Sequence, residues 1–146
     1  MAITSAICNS FKVEILTGTH NFTASTGDTF NLALYTDSAT LSKSTTAYSA
    51  SNEITNASGS AYSAKGNALT SVTPVLSTDT AVCDFANSSW SSASFTARGC
   101  LIFNDTAAGD PAVCAIDFGG NKTVTSGTFT IEFPAADASN AIVRIA

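Results

Sequence analysis

The chain has 146 residues, a length that suits one domain with its own core. Hydrophobic residues make up 45% and charged residues only 12%, which argues against a disordered chain. The formal net charge is −5 and the six cations, Lys12, Lys43, Lys65, Arg98, Lys122 and Arg144, form no basic stripe, which argues against a nucleic-acid partner.

The predicted elements begin with a helix over residues 4–17. Thr4 or Ser5 supplies the N-cap, Ile7, Phe11, Ile15 and Leu16 fall on one face, and Gly18 ends it. Beyond Gly27 the pattern changes to strands and turns. Residues 29–36 alternate Phe30, Leu32 and Leu34 with Asn31 and Ala33, which predicts a half-buried strand. Residues 36–60 are rich in Ser, Thr, Ala and Asn and read as a long loop with a short strand near 45–48. Tyr48, Ile54 and Tyr62 are its apolar anchors. Strands follow at 68–72 and 80–85, with a turn at Thr73-Pro74 between them. Segments 90–96 and 98–104 read as one strand with a bulge at Gly99.

A turn from Asn104-Asp105 to Gly109-Asp110-Pro111 leads to a return strand at 112–118, and Gly119-Gly120-Asn121 turns the chain again. In 128–133, Phe129, Ile131 and Phe133 point inward while Thr128, Thr130 and Glu132 point outward. Pro134 ends that strand, and 142–145 forms the last. The whole of 1–146 is therefore expected to be one mainly β domain, a β-sandwich or jelly-roll-like fold with a short N-terminal α-helix.

The residues offer little equipment for catalysis. The single histidine, His20, is expected to bond backbone groups at the helix exit. The acids lie mostly at turns and strand ends, and the acidic turn 104–110 lacks the ligand spacing of a calcium loop. No GxSxG, HExxH or P-loop pattern occurs. Cys8, Cys83, Cys100 and Cys114 form no CxxC pair and read as small buried hydrophobes, with a Cys83–Cys100 or Cys100–Cys114 bridge as the alternative. The sequence thus predicts no enzyme, no metal and no cofactor. No signal peptide and no apolar run long enough for a membrane span are visible, so no membrane partner is expected.

Function should then lie in surfaces. Phe30, Phe95, Phe103, Phe118, Phe129 and Phe133 read as core. Tyr48, Tyr62 and Trp90 are flanked by Ser and Thr; they read as packing or interface residues, with carbohydrate stacking as the alternative. Together with Ile7, Phe11 and Ile15 of the helix they form the candidate interface.

Several blocks carry a resemblance across nearly the whole chain. They are Met1-Ala2-Ile3-Thr4-Ser5-Ala6, Gly18-Thr19-His20-Asn21-Phe22, Asp28-Thr29-Phe30, Leu32-Ala33-Leu34-Tyr35 and Gly66-Asn67-Ala68-Leu69. Later blocks are Asp84-Phe85, Trp90-Ser91-Ser92-Ala93, Thr96-Ala97-Arg98-Gly99, Asp117-Phe118-Gly119-Gly120 and Phe133-Pro134. With these blocks the chain resembles a family of small virion structural proteins of tailed bacteriophages. Cys83, Cys100 and Cys114 depart from the small or β-branched residues expected there. The resemblance implies a protein made in the host cytoplasm and carried in the virion. Its leading role is a capsid cement or decoration protein bound to the major capsid protein and to other copies of itself, as in a trimer. The alternative is a tail, baseplate or fibre component with a carbohydrate-binding β domain.

Overall fold

The computed structural model describes residues 2–146. It is mainly β, with two antiparallel sheets and one short helix. The elements are β1 (Ala6–Ile7), α1 (Asn9–Leu16), β2 (Phe30–Tyr35), β3 (Asn67–Ala68), β4 (Ser71–Ser77), β5 (Thr80–Phe85), β6 (Ser88–Asn104), β7 (Ala112–Ile131) and β8 (Val143–Ile145). The larger sheet has the order β1-β7-β6-β2-β3 and the smaller one β4-β5-β8.

The long β6–β7 hairpin is the frame. Its register runs from Phe103↔Ala112 beside the turn to Ser88↔Ile131 at the far end. β6 is one strand, as expected, and the pairing shifts between Ala97 and Gly99. A methyl on Gly99 would come 2.5 Å from the Ile116 carbonyl oxygen and 2.9 Å from Ile3, so the irregularity is also a point of close approach.

β7 differs from expectation. It runs through Gly119-Gly120-Asn121 without reversing, because the residues between Asp117 and Lys122 form a wide bulge opposite Arg98. Asp117 holds the bulge. Its carboxylate accepts from Arg98 Nε at 2.9 Å and from the Gly119 N–H at 3.0 Å. The bent strand brings Phe118 within 6.3 Å of Phe129, centroid to centroid. Beyond the bulge the expected alternation holds: Phe129, Ile131 and Phe133 are half-buried while Thr128, Thr130 and Glu132 are exposed.

β2 is buried along all six residues and is not the half-buried strand its alternation predicts. It lies between β6 and β3, and Ala39, Leu41, Ile54 and Tyr62 of the following segment are buried in the same core. The segment from Thr36 to Gly66 contains no named strand. Its isolated bridges join Leu41 to Ile3, Ala47 to Pro111 and Glu53 to Tyr35 of β2, so Ala47 stands where a short strand was expected.

The helix is shorter than the 4–17 span expected. Ala6 and Ile7 pair instead with Ala115 and Cys114 of β7, so Ile7 belongs to a strand. Cys8 is the N-cap, in extended conformation and with no side-chain capping bond. Ser5 Oγ accepts the Asp117 N–H at 2.8 Å, a tertiary bond in place of a cap. The expected stop at Gly18 is present, at φ +75°. Thr19 N–H reaches the Glu14 carbonyl at 3.0 Å and Gly18 N–H the Ile15 carbonyl at 3.4 Å, the paired bonds of a Schellman end. A helix of little more than two turns presents only a narrow stripe to the core. Phe11 alone is buried, and Leu16, expected on the inner face, is 87% exposed.

Pro74 also corrects the sequence reading. It lies inside edge strand β4, at a register shift between Val72 and Val75, where a missing N–H is tolerated. The reversal comes later, at Thr78 with φ +55°. All four cysteines are free; Cys8, Cys100 and Cys114 are buried and Cys83 is half-buried.

Gly66 carries the tightest approach between the long segment and β2. Its φ is +66°, and a methyl there would overlap the Leu32 carbonyl. Gly66→Ala is expected to destabilise the domain by about 2 kcal/mol or more, read as a lower midpoint in urea with an unchanged slope.

Candidate functional site

Two buried polar clusters and two apolar grooves are the candidates for function. The first cluster centres on Glu53, which is 7% exposed. Its Oε1 accepts the Tyr62 hydroxyl at 2.6 Å and the Lys65 backbone N–H at 2.7 Å. Its Oε2 accepts the Tyr48 hydroxyl at 2.6 Å. Tyr62 Oη in turn accepts the Leu34 N–H at 2.9 Å, tying the cluster to β2. Burial first, and then the bond to the Glu53 carboxylate, push the Tyr48 phenol up to about 12. The same two causes raise Tyr62 further. Tyr35, whose hydroxyl donates to the Ser49 carbonyl at 2.7 Å, is raised by burial and by the charge of Glu53.

Lys65 extends this cluster to the β6–β7 turn. Its Nζ lies 2.7 Å from Asp105 and 2.9 Å from Asp110, and 5.7 Å from the centre of the Tyr48 ring. The two carboxylates of the acidic turn are therefore bridged by an ammonium group, which stays protonated well above its ordinary range.

The second cluster holds His20, whose side chain is fully buried. It bonds side chains and not the backbone groups expected from its place after the helix. The Asn104 carboxamide oxygen accepts two backbone N–H groups, of Thr106 at 2.9 Å and Ala107 at 3.1 Å. Its NH2 must then face His20 Nδ1, at 3.1 Å, and Asp28, at 2.8 Å. This arrangement makes Nδ1 an acceptor and leaves Nε2–H to donate to Glu14 at 2.6 Å. Both ring nitrogens are occupied. The ring stacks at 6.1 Å on Phe30, which itself stacks on Phe22 at 4.3 Å.

The candidate interface residues are dispersed. Phe11, Tyr62 and Trp90 are buried within the chain, while Ile7, Ile15 and Tyr48 are half-buried against the core. Trp90 stacks on Tyr62 at 6.0 Å and meets Phe129 edge-on at 6.1 Å; Tyr48 lies on Phe103 at 4.7 Å. The hydroxyl-rich neighbours of these aromatics occupy alternate strand positions and the loop exterior, so they say nothing of the ring's own face. Tyr62 and Trp90 consequently offer no exposed ring to a sugar.

The exposed apolar residues lie elsewhere. Val13 and Leu16 project from α1, Val72, Val75 and Leu76 from β4, and Ile145 from β8. Leu76, Ala81 and Ile145 stand in one row across the smaller sheet. The row leads into a groove of about 370 Å³ lined by Ile15, Phe22, Pro74, Cys83 and Ile145. Sequence reading passed over this surface because its strands at 68–72 and 80–85 left Val75 and Leu76 outside both, whereas β4 contains them. Val75 and Leu76 are adjacent in a strand, and neighbours in a strand face opposite sides. A second apolar groove, of about 620 Å³, lies in the bend of β7 between Ile116, Phe118, Phe129, Ile131 and Phe133.

No protein-family model, no curated protein and no solved structure matches the chain. No helix among the described residues is long and apolar enough to cross a membrane.

Glu53→Gln replaces the carboxylate acceptor of two phenols by an amide, and is expected to destabilise the fold by about 2–3 kcal/mol in denaturant titrations. The phenols give a second readout. Because the folded-state value of Tyr48 lies above the ordinary 10.0, its contribution is complete below pH 10 and lost as pH rises through about 12. Ultraviolet tyrosinate titration should show this late ionisation in the native protein, and an earlier one in Glu53→Gln. An unshifted tyrosine titration would contradict the assignment.

Proposed function

We propose that the domain is a virion structural protein of a tailed bacteriophage, a capsid cement or decoration protein that binds and stabilises the assembled head shell. The family resemblance of the sequence blocks supports the setting. The observation that carries a binding role over a chemical one is the apolar row Leu76–Ala81–Ile145, whose two ends are exposed and which adjoins the groove lined by Ile15, Phe22 and Pro74. Large apolar side chains exposed beside an apolar groove mark a surface that another molecule covers.

The polar clusters support the same reading from the opposite side. Glu53 and His20 have their hydrogen-bonding atoms taken up by the fold, which leaves neither free to act on a substrate. In this proposal the domain is not an enzyme, and its partners are the major capsid protein and other copies of itself. The glycan-binding alternative is weaker, because Tyr62 and Trp90 are packed inside.

The test uses heads of a phage that encodes the chain, stripped of this protein and then supplied with it. The domain should bind the heads and raise their resistance to heat. Leu76→Asp and Ile145→Asp should each weaken binding about tenfold or more, with the urea midpoint of the free domain little changed. Copies found on the tail tip, and none on the head, would overturn the proposal.

A further inference from the structure

His20 is the one histidine of the chain, and its buried ring joins two parts of the fold by bonds of opposite sense. Nε2–H donates to Glu14 on α1 at 2.6 Å, while Nδ1 accepts from the Asn104 NH2, at the end of β6, at 3.1 Å. Asn104 is also fully buried, and its other bonds fix its orientation. Its oxygen holds the N–H groups of Thr106 and Ala107, and its nitrogen donates to Asp28 at 2.8 Å. Thr106 extends the series one step further, because its Oγ1 accepts the Thr29 N–H at 2.8 Å, just ahead of β2.

A second proton on this ring must go to Nδ1, which turns an acceptor into a donor. Nδ1–H then points at the Asn104 NH2, donor against donor. Turning the carboxamide over supplies an acceptor to the ring. It also sets an NH2 against two backbone N–H groups and an oxygen against the Asp28 carboxylate. Neither orientation of Asn104 satisfies a charged ring. Glu14 responds in the opposite way, since its carboxylate attracts the imidazolium and keeps its bond to Nε2–H. Cys83 of β5 lines the same groove as His20, but burial pushes its thiol up to about 11, so it stays neutral in acid. One proton therefore strengthens the tie to the helix and breaks the tie to the turn. Imidazole is also the side chain that mild acid charges most readily.

We propose that His20 is an acid-sensitive latch: protonation of Nδ1 displaces Asn104 and frees the Thr106 and Ala107 N–H groups in the β6–β7 turn, while Glu14 keeps α1 bonded to the ring. The release is local. Asp105 N–H still reaches the Thr29 carbonyl, and Lys65 still bridges Asp105 and Asp110, since none of these bonds involves the ring.

Nuclear magnetic resonance of the 15N-labelled domain, titrated from about pH 8 to about pH 4, tests the latch on a single imidazole. At the upper end the ring nitrogens should report the Nε2–H tautomer. As the ring takes up its second proton, the Thr106 and Ala107 amide resonances should move with the ring's own midpoint. The protection of these two amides against exchange, relative to the central amides of β6, should fall about tenfold or more over the same step. Glu14→Gln removes the anion that favours the charged ring, and should carry the ring and turn midpoints together to lower pH. An Nδ1–H tautomer, or a ring that stays neutral until the domain unfolds, would overturn the proposal. So would a charged ring with Thr106 and Ala107 unmoved. A turn midpoint that stays in place in Glu14→Gln while the ring's moves would assign the response to a carboxylate such as Asp28, and would overturn it as well.

Discussion

The Glu53 carboxylate is the constraint on which the unpaired side of β2 depends. β2 has β6 along one edge but only Asn67 and Ala68 of β3 along the other. The remaining backbone groups of that edge are met by a segment with no strand of its own. Ile54 N–H reaches the Leu34 carbonyl, Tyr62 Oη accepts the Leu34 N–H, and Asn52 O accepts the Thr36 N–H. A buried carboxylate without partners costs several kcal/mol, so the two phenols and the Lys65 N–H must stay where they are. Holding Lys65 there places its ammonium group between Asp105 and Asp110, in the β6–β7 turn. One buried charge thus fixes a long loop, a strand edge and a distant hairpin turn.

The His20 cluster does similar work at the other side of β2. Asn104 ends β6, Asp28 precedes β2 and Glu14 lies in α1, so the cluster ties the helix to the sheet. In both clusters the groups that would draw attention as chemistry, a histidine between acids and a carboxylate between phenols, are spent on structure. The free groups are outside: apolar side chains on α1, β4 and β8.

The sequence revealed elements whose signals are local. β5 spans the expected residues 80–85, β6 is one strand with an irregularity at Gly99, and Gly18 ends the helix. The errors arose where a distant partner overrides a local preference. Ala6 and Ile7 have a helical apolar spacing but are claimed by β7. Gly119-Gly120-Asn121 has turn composition, yet Arg98 and Asp117 hold it as a bulge in a continuing strand. The alternation of β2 reports a polar face, but Asn31 on that face is covered, and its side chain donates to the Lys65 carbonyl at 3.4 Å. The aromatics Tyr48, Tyr62 and Trp90 pack within the chain, which agrees with the packing reading and not with the carbohydrate-stacking alternative. Their serine-rich neighbours describe the exterior of the loop, whereas the rings turn inward to meet Glu53, Phe103 and one another.

Bonds to Glu53 and Tyr62 hold the strandless segment against β2 as a strand's ladder would. Native-state amide hydrogen exchange reads those bonds directly. The Leu34 and Lys65 amides, which donate to Tyr62 and Glu53, should exchange as slowly as the central amides of β6, through opening of the whole domain. Exchange of both at the rate of an open loop, while β6 and β7 stay protected, would contradict the account.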